Sequence, residues 1–174
     1  MNLLPKHNGH TASEYDMQEE VAARCKRLVF RMDTTKNGSW DINRITPKVY
    51  REIRIPQIHR ISDIIVKVTP RKVYNIECKI SDYGGVLEQA KDHLQWADYS
   101  YICIHDKAYL PEYWIKFLMQ DGIGLLMWKK GTVMEVIGAR PSGSKDKEIR
   151  AAVMKTLAGK DRRPMTRTKK NPPH

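Results

Sequence analysis

A chain of 174 residues, 41% hydrophobic and 29% charged, carries enough apolar material for one sizeable core, which excludes a disordered or fibrous chain. Its 31 Lys+Arg against 20 Asp+Glu leave a net charge of +11, a field that favours a polyanionic partner. Three cysteines without a CxxC spacing exclude a disulfide framework, and no apolar run approaches membrane-spanning length.

Cys25, Cys78 and Cys103 therefore read as small buried hydrophobes in a reducing compartment. His93, Cys103 and His105 lack a fourth ligand at a usual spacing, so no zinc site is assigned to them. The N-terminus has no charged-then-apolar signal pattern, and the expected location is cytoplasmic. No Lys-rich amphipathic helix with a bulky apolar face is present, so nucleic acid is the expected partner and a membrane is not.

Residues 1–10 are polar and expected to be flexible; a single folded domain is expected over 11–158 and a disordered basic tail over 159–174. Thr11 or Ser13 can cap a helix running to about Val29, with Val21, Cys25 and Leu28 as its stripe, extended by Gln18 and Glu14. Acids crowd the start of that helix and bases its end, as the helix dipole favours. Leu28–Met32 reads as a short strand, and Asp33–Asp41 as a loop with an Asn-Gly turn that Trp40 and Ile42 anchor. Tyr50–Ile55 alternates as a strand and ends at Pro56.

Next come two apolar runs joined by Thr-Pro-Arg-Lys, the signature of a β-hairpin. Ser81–Gly85 breaks its second strand, and Val86 to about Asp98 is a helix with Leu87, Ala90, Leu94 and Ala97 buried and Gln89 on the flank. Tyr99–Ile104 is a fully buried strand, so strand, helix and strand in succession predict a crossover within a mixed sheet. Pro111–Met119 follows as a short helix, and Ile123–Trp128 with Thr132–Ile137 as a second hairpin. Arg140–Ser144 is a linker, and Lys145–Leu157 a helix that Gly159 stops. From Lys160 the chain holds six Lys/Arg, three Pro and one Asp, a composition too polar to pack.

The chemistry concentrates in the first hairpin. Alternation sets Asn75, Glu77 and Lys79 on one face, and the hairpin brings Asp63, 14 residues before Glu77, beside it. Two carboxylates, with the backbone carbonyl of Cys78 between them, are hard oxygen donors for Mg²⁺. A divalent cation there lowers the pKa of bound water and polarises a phosphoryl oxygen, while Lys79 orients the water or stabilises developing negative charge.

Asp63-Ile-Ile-Val, Asn75-Ile-Glu77-Cys-Lys79 and Leu87-Glu-Gln89-Ala-Lys-Asp-His-Leu-Gln-Trp together resemble the PD-(D/E)XK nuclease superfamily over roughly residues 13–138. The resemblance implies a restriction-endonuclease-like fold: an α/β chain with an α-β-β-β-α-β mixed sheet flanked by helices, here followed by a C-terminal hairpin, helix and basic tail. It implies cleavage of DNA with Mg²⁺ or Mn²⁺, with Asp63, Glu77 and Lys79 at the motif's acid, acid and lysine positions. Gln89 matches the glutamine often found on the next helix. Many members add an acid from the first helix, for which Glu14, Glu19 and Glu20 are candidates and Glu20 is preferred. Ser62 stands where the motif has proline. Members that cut both strands commonly work as dimers, so a homodimer is expected.

The candidate nucleic-acid contacts are Arg60, Lys67, Arg162 and Arg163, with His59 beside Arg60; the tail would add salt-sensitive affinity through counterion release. No base-reading helix is evident, so the expected substrate is recognised by shape rather than by sequence. The competing readings are a non-catalytic nucleic-acid-binding module and a subunit of a larger complex.

Overall fold

The computed structural model describes residues 12–37, 46–81, 83–143 and 145–161. The N-terminal segment, the Trp40–Ile42 anchor and the tail, with Arg162 and Arg163, lie outside the described residues.

Helix α1 (Ala12–Asn37) leads into β1 (Lys48–Ile55), a short 3-10 turn (Pro56–Ile58), β2 (Arg60–Thr69) and β3 (Lys72–Lys79). Then come α2 (Gly84–Asp92), a second 3-10 turn (His93–Gln95), β4 (Tyr99–His105), α3 (Glu112–Asp121), the hairpin β5 (Gly124–Lys129) and β6 (Thr132–Ile137), and α4 (Lys147–Asp161). The strands form one six-stranded mixed sheet in chain order, antiparallel from β1 to β3, parallel from β3 to β5 and antiparallel again at β6. Helices flank it, so the chain is an α/β protein. β3 to β4 is a parallel connection through α2, as the strand-helix-strand order requires.

Three apolar clusters hold the layers together. One joins the Met17, Val21 and Cys25 stripe of α1 to Ile64, Val66, Tyr74, Ile76, Cys78 and Cys103. A second packs Val153 and Leu157 of α4 on Ile53, Ile65, Val73 and Trp96, and a third sets Val86, Ala90, Trp114 and Leu118 over Ile102 and Ile104. All three cysteines are free and buried, and burial pushes the Cys25 and Cys78 thiols up, so both act as apolar filling.

Several elements depart from expectation. Residues 28–32 continue α1 rather than forming a strand, because no Gly or Pro interrupts Ala12–Asn37 and helix propagation carries through it. α2 ends at Asp92; Val86, Ala90 and His93 form its buried stripe, Leu87 and Leu94 are only half-buried, and Ala97 is buried as expected but beyond the helix end. α4 runs through Gly159 to Asp161, whose carboxylate accepts the Tyr50 hydroxyl at 2.8 Å and lies 3.1 Å from Lys48 and 3.6 Å from Lys67. A glycine by itself stops a helix only weakly, and here Asp161, two residues on, is tied to β1 and β2.

The Tyr50 hydroxyl, followed by the two lysines, holds the Asp161 carboxyl below its usual value of 3.8. A depressed folded-state pKa contributes stability above the unfolded value and loses it as pH falls through the folded one. Asp161→Asn is therefore expected to lower the melting temperature by a degree or two at pH 7, about 0.5 kcal/mol for partly exposed pairs. The gap between variant and wild type should narrow as melts are run below pH 3.8 and close once pH has fallen through the folded-state value; a gap that stays constant across that range would refute the assignment.

Candidate active site

The register of β2 on β3 runs from Thr69↔Lys72 to Ile64↔Ile76 and stops, although both strands continue. Beyond that point the residues of β2 from Arg60 to Ser62 pair only with β1. β2 and β3 thus part, and Asp63 fills the fork: its Oδ2 accepts the Cys78 N–H at 2.8 Å, where a ladder carbonyl would otherwise sit. On the other side of Asp63, Glu52 falls between the pairs Arg51↔Ile64 and Ile53↔Ser62 with φ 50°, a left-handed conformation costing about 1 kcal/mol or more for a non-glycine residue. That residue breaks the alternation of β1, so Tyr50, Ile53 and Ile55 all reach the same apolar cluster.

Glu77 is 1% exposed and Asp63 5%. Burial first, and the nearby Asp63 charge second, push the Glu77 carboxyl upward; His93 and a hydrogen bond from Asn75 pull it back. Asn75 is itself fixed in a buried relay. The Ser62 hydroxyl donates to its Oδ1 at 2.5 Å, its amide donates to Ser100 Oγ at 3.1 Å, and Ser100 donates to the Ala90 carbonyl at 2.7 Å. The relay ties β2, β3, β4 and α2 together behind Glu77.

Lys79, at the end of β3, lies 3.1 Å from Glu14 Oε1, and the same oxygen accepts the Ile80 N–H at 3.3 Å. Glu14 sits on the buried stripe of α1 and is 2% exposed. The first-helix acid that reaches this region is therefore Glu14 and not Glu20. Glu20 Oε2 accepts the Gly131 N–H at 2.8 Å and the Trp128 indole at 2.9 Å, which hold its carboxyl below the usual range. Six residues on a helix turn a side chain to another face, so both acids cannot serve one site. Glu20 clamps the β5–β6 turn to α1. Glu20→Ala is expected to lower the melting temperature by about 2–6 °C, from two hydrogen bonds to a carboxylate worth about 1–2 kcal/mol, and a calorimetric scan reads it.

The remaining candidates divide. Gln89 is half-buried on α2, one turn before His93 and on the same side of the helix. Arg60 pairs with Asp92 at 2.7 Å and lines a cleft of about 300 Å³ with Arg54, Pro56, His59 and Ile61, three residues along β2 from Asp63. Lys67 is four residues from Asp63 in the opposite direction and bound to Asp161, so it is not brought to the site. His93 went unassigned in the sequence; it is fully buried, and its Nε2 lies 3.1 Å from Glu77 Oε1. The signal was its place at i+7 from Val86 and i+3 from Ala90, on the inward stripe of α2.

Among the described residues no three His, Cys, Asp or Glu side chains form a metal cage. The oxygen donors that could take a cation are the Asp63 and Glu77 carboxylates and the Cys78 carbonyl, which leaves β3 on the same edge as the N–H bound by Asp63. Glu77 Oε1 makes no aligned hydrogen bond despite its burial, although His93 Nε2 lies 3.1 Å away, and it sits beside a second acid. Two carboxylates and waters suit Mg²⁺, which seldom needs a full protein cage.

No family model matches the chain, and no curated protein matches it. Among solved structures it is similar to a protein of unknown function from Silicibacter pomeroyi, at 15% identity and a TM-score of 0.44, over 70% of this chain and 86% of that one. Among the described residues, no helix is long and apolar enough to cross a membrane.

Proposed function

We propose that the protein is a Mg²⁺- or Mn²⁺-dependent nuclease of the PD-(D/E)XK type that hydrolyses phosphodiester bonds of DNA. The observation that carries the reading is the buried Asp63–Glu77 pair at a fork in the sheet, with Lys79 at its rim. Like charges packed together away from water are costly, and the arrangement is explained if a divalent cation joins them. The element order α1-β1-β2-β3-α2-β4 supports a restriction-endonuclease-like core.

Asp63, Glu77 and the Cys78 carbonyl would hold the cation, which when bound supplies Lewis acidity and an activated water. Lys79 would stand against the attacked phosphate, its amine held at the rim by Glu14. Arg60, beside its cleft, would meet the phosphate backbone on the Asp63 side. Glu14→Gln is expected to lower the cleavage rate by about 10-fold through a misplaced Lys79, whereas Glu20→Gln leaves it unchanged; a supercoiled-plasmid nicking assay with Mn²⁺ distinguishes the two. The high net charge supports a polyanionic substrate, and a panel of duplex, junction, flap and single-stranded substrates would identify its shape. A homodimer is the proposed assembly, tested by light scattering.

The competing reading is a non-catalytic nucleic-acid-binding module, alone or within a larger complex. The near-complete burial of both carboxylates and the Lys79–Glu14 pairing favour it, because the polar groups are partly satisfied by one another. Calorimetric titration with Mn²⁺ separates the two: a binding module shows no site that depends on both Asp63 and Glu77.

A further inference from the structure

His93 follows the last residue of α2, and its carbonyl accepts the N–H groups of Trp96 at 3.1 Å and Ala97 at 2.8 Å. This tight turn folds the Trp96 ring back against the imidazole, edge to face, with centroids 5.4 Å apart. The Trp96 indole N–H donates to His93 Nδ1 at 2.9 Å. Both side chains are fully buried. An indole only donates, so Nδ1 must be an acceptor, which leaves the ring proton on Nε2. Nε2 is the atom that lies 3.1 Å from Glu77 Oε1, and neither atom has an aligned hydrogen bond.

We propose that His93 is a positioning residue: Trp96 fixes its Nε2–H tautomer, and that N–H sets the orientation in which the Glu77 carboxylate meets a divalent cation. The inference rests on the metal-dependent reading above and adds to it a tryptophan–histidine–carboxylate chain from α2. A carboxylate with one oxygen steered by an N–H presents the other in a single direction. Loss of such an outer partner typically weakens metal affinity by 10- to 100-fold. The Asn75 relay approaches the same carboxylate from the sheet, so Glu77 is oriented from two sides.

The test combines imidazole ¹⁵N spectra of the metal-free protein with Mn²⁺ titration calorimetry on wild type, His93→Leu, His93→Gln, Trp96→Phe and Glu77→Gln, each checked for folding by circular dichroism. Wild type should show the Nε2-protonated tautomer, and Trp96→Phe should show a mixture. His93→Leu should bind Mn²⁺ 10- to 100-fold more weakly, and His93→Gln, which retains an N–H donor, should recover to within a few-fold. An Nδ1-protonated ring in wild type overturns the proposal, and it does so whatever the fate of the variants. Wild-type Mn²⁺ affinity in His93→Leu, with Glu77→Gln impaired, overturns the positioning role but leaves the metal site standing. No Mn²⁺ binding by wild type overturns the nuclease reading, and this proposal with it.

Discussion

Glu77→Gln and Lys79→Ala are each expected to reduce Mg²⁺- or Mn²⁺-dependent cleavage of DNA by about 10³-fold or more, since several kcal/mol of charge stabilisation would be lost. The two variants should differ in stability. Glu77 is a buried carboxyl beside a second acid and an unaligned imidazole, so its ionised form opposes folding. The amide of Glu77→Gln has nearly the same shape and no charge, and should raise the melting temperature at neutral pH by about 2–8 °C, for about 1–2 kcal/mol. Lys79 is partly exposed and its removal leaves Glu14 buried without that cation, so Lys79→Ala should melt at or below wild type. The comparison needs only a plasmid cleavage assay and a thermal scan. Cleavage equal in wild type and both variants would sink the nuclease reading, and a lowered melting point for Glu77→Gln would show that the carboxylate is structural.

The largest expected loss of stability comes from Asp98, which is 7% exposed and is not one of the proposed site residues. Its Oδ2 accepts the Val73 N–H at 2.7 Å and an Arg150 N–H at 2.8 Å, and its Oδ1 lies 2.7 Å from Lys145. The backbone adds to this, because Asp98 donates to the Val73 carbonyl and accepts from the Ser142 N–H, both at 2.8 Å. One side chain thus joins the start of β3, the linker before α4 and α4 itself. Asp98→Ala leaves the largely buried Arg150 with the Trp96 carbonyl and a distant Pro70 carbonyl in place of a carboxylate. An uncompensated buried charge costs about 3–5 kcal/mol, equivalent to roughly 10 °C in a chain of this size. Amide exchange should show the loss first in α4, whose Val153 and Leu157 depend on this docking to reach Trp96. A shift of less than 2 °C would mean that the apolar contacts alone hold α4.

The local elements were legible because each rests on neighbours in sequence. The β2–β3 turn follows from Thr-Pro-Arg-Lys, and the inward stripe of α1 from Val21 and Cys25. The same stripe already carried Glu14, which periodicity placed on the buried side without naming what it would meet there. Its partner Ile80 is 66 residues away, and no spacing rule spans that distance. Glu20 was preferred for adjacency to Val21, but a neighbour in sequence lies about 100° round a helix and so faces elsewhere. Lys67 was set among the nucleic-acid contacts on charge alone, and charge does not reveal that Asp161 is beside it. His93 was missed because a histidine on an apolar stripe gives no hint of whether it faces a methyl group or a carboxylate.

By itself the sequence determined the order of helices and strands apart from residues 28–32, the hairpin that carries Asp63, Glu77 and Lys79, and the net charge of +11 on the chain. Those properties depend on residues a few positions apart or on simple sums of charge. Only the tertiary structure decided that β2 and β3 part at Asp63, that Glu52 takes a left-handed turn opposite it, that Glu14 rather than Glu20 reaches Lys79, and that His93 faces Glu77. Each of these is a meeting of segments distant in the chain, set by how the helices pack on the sheet.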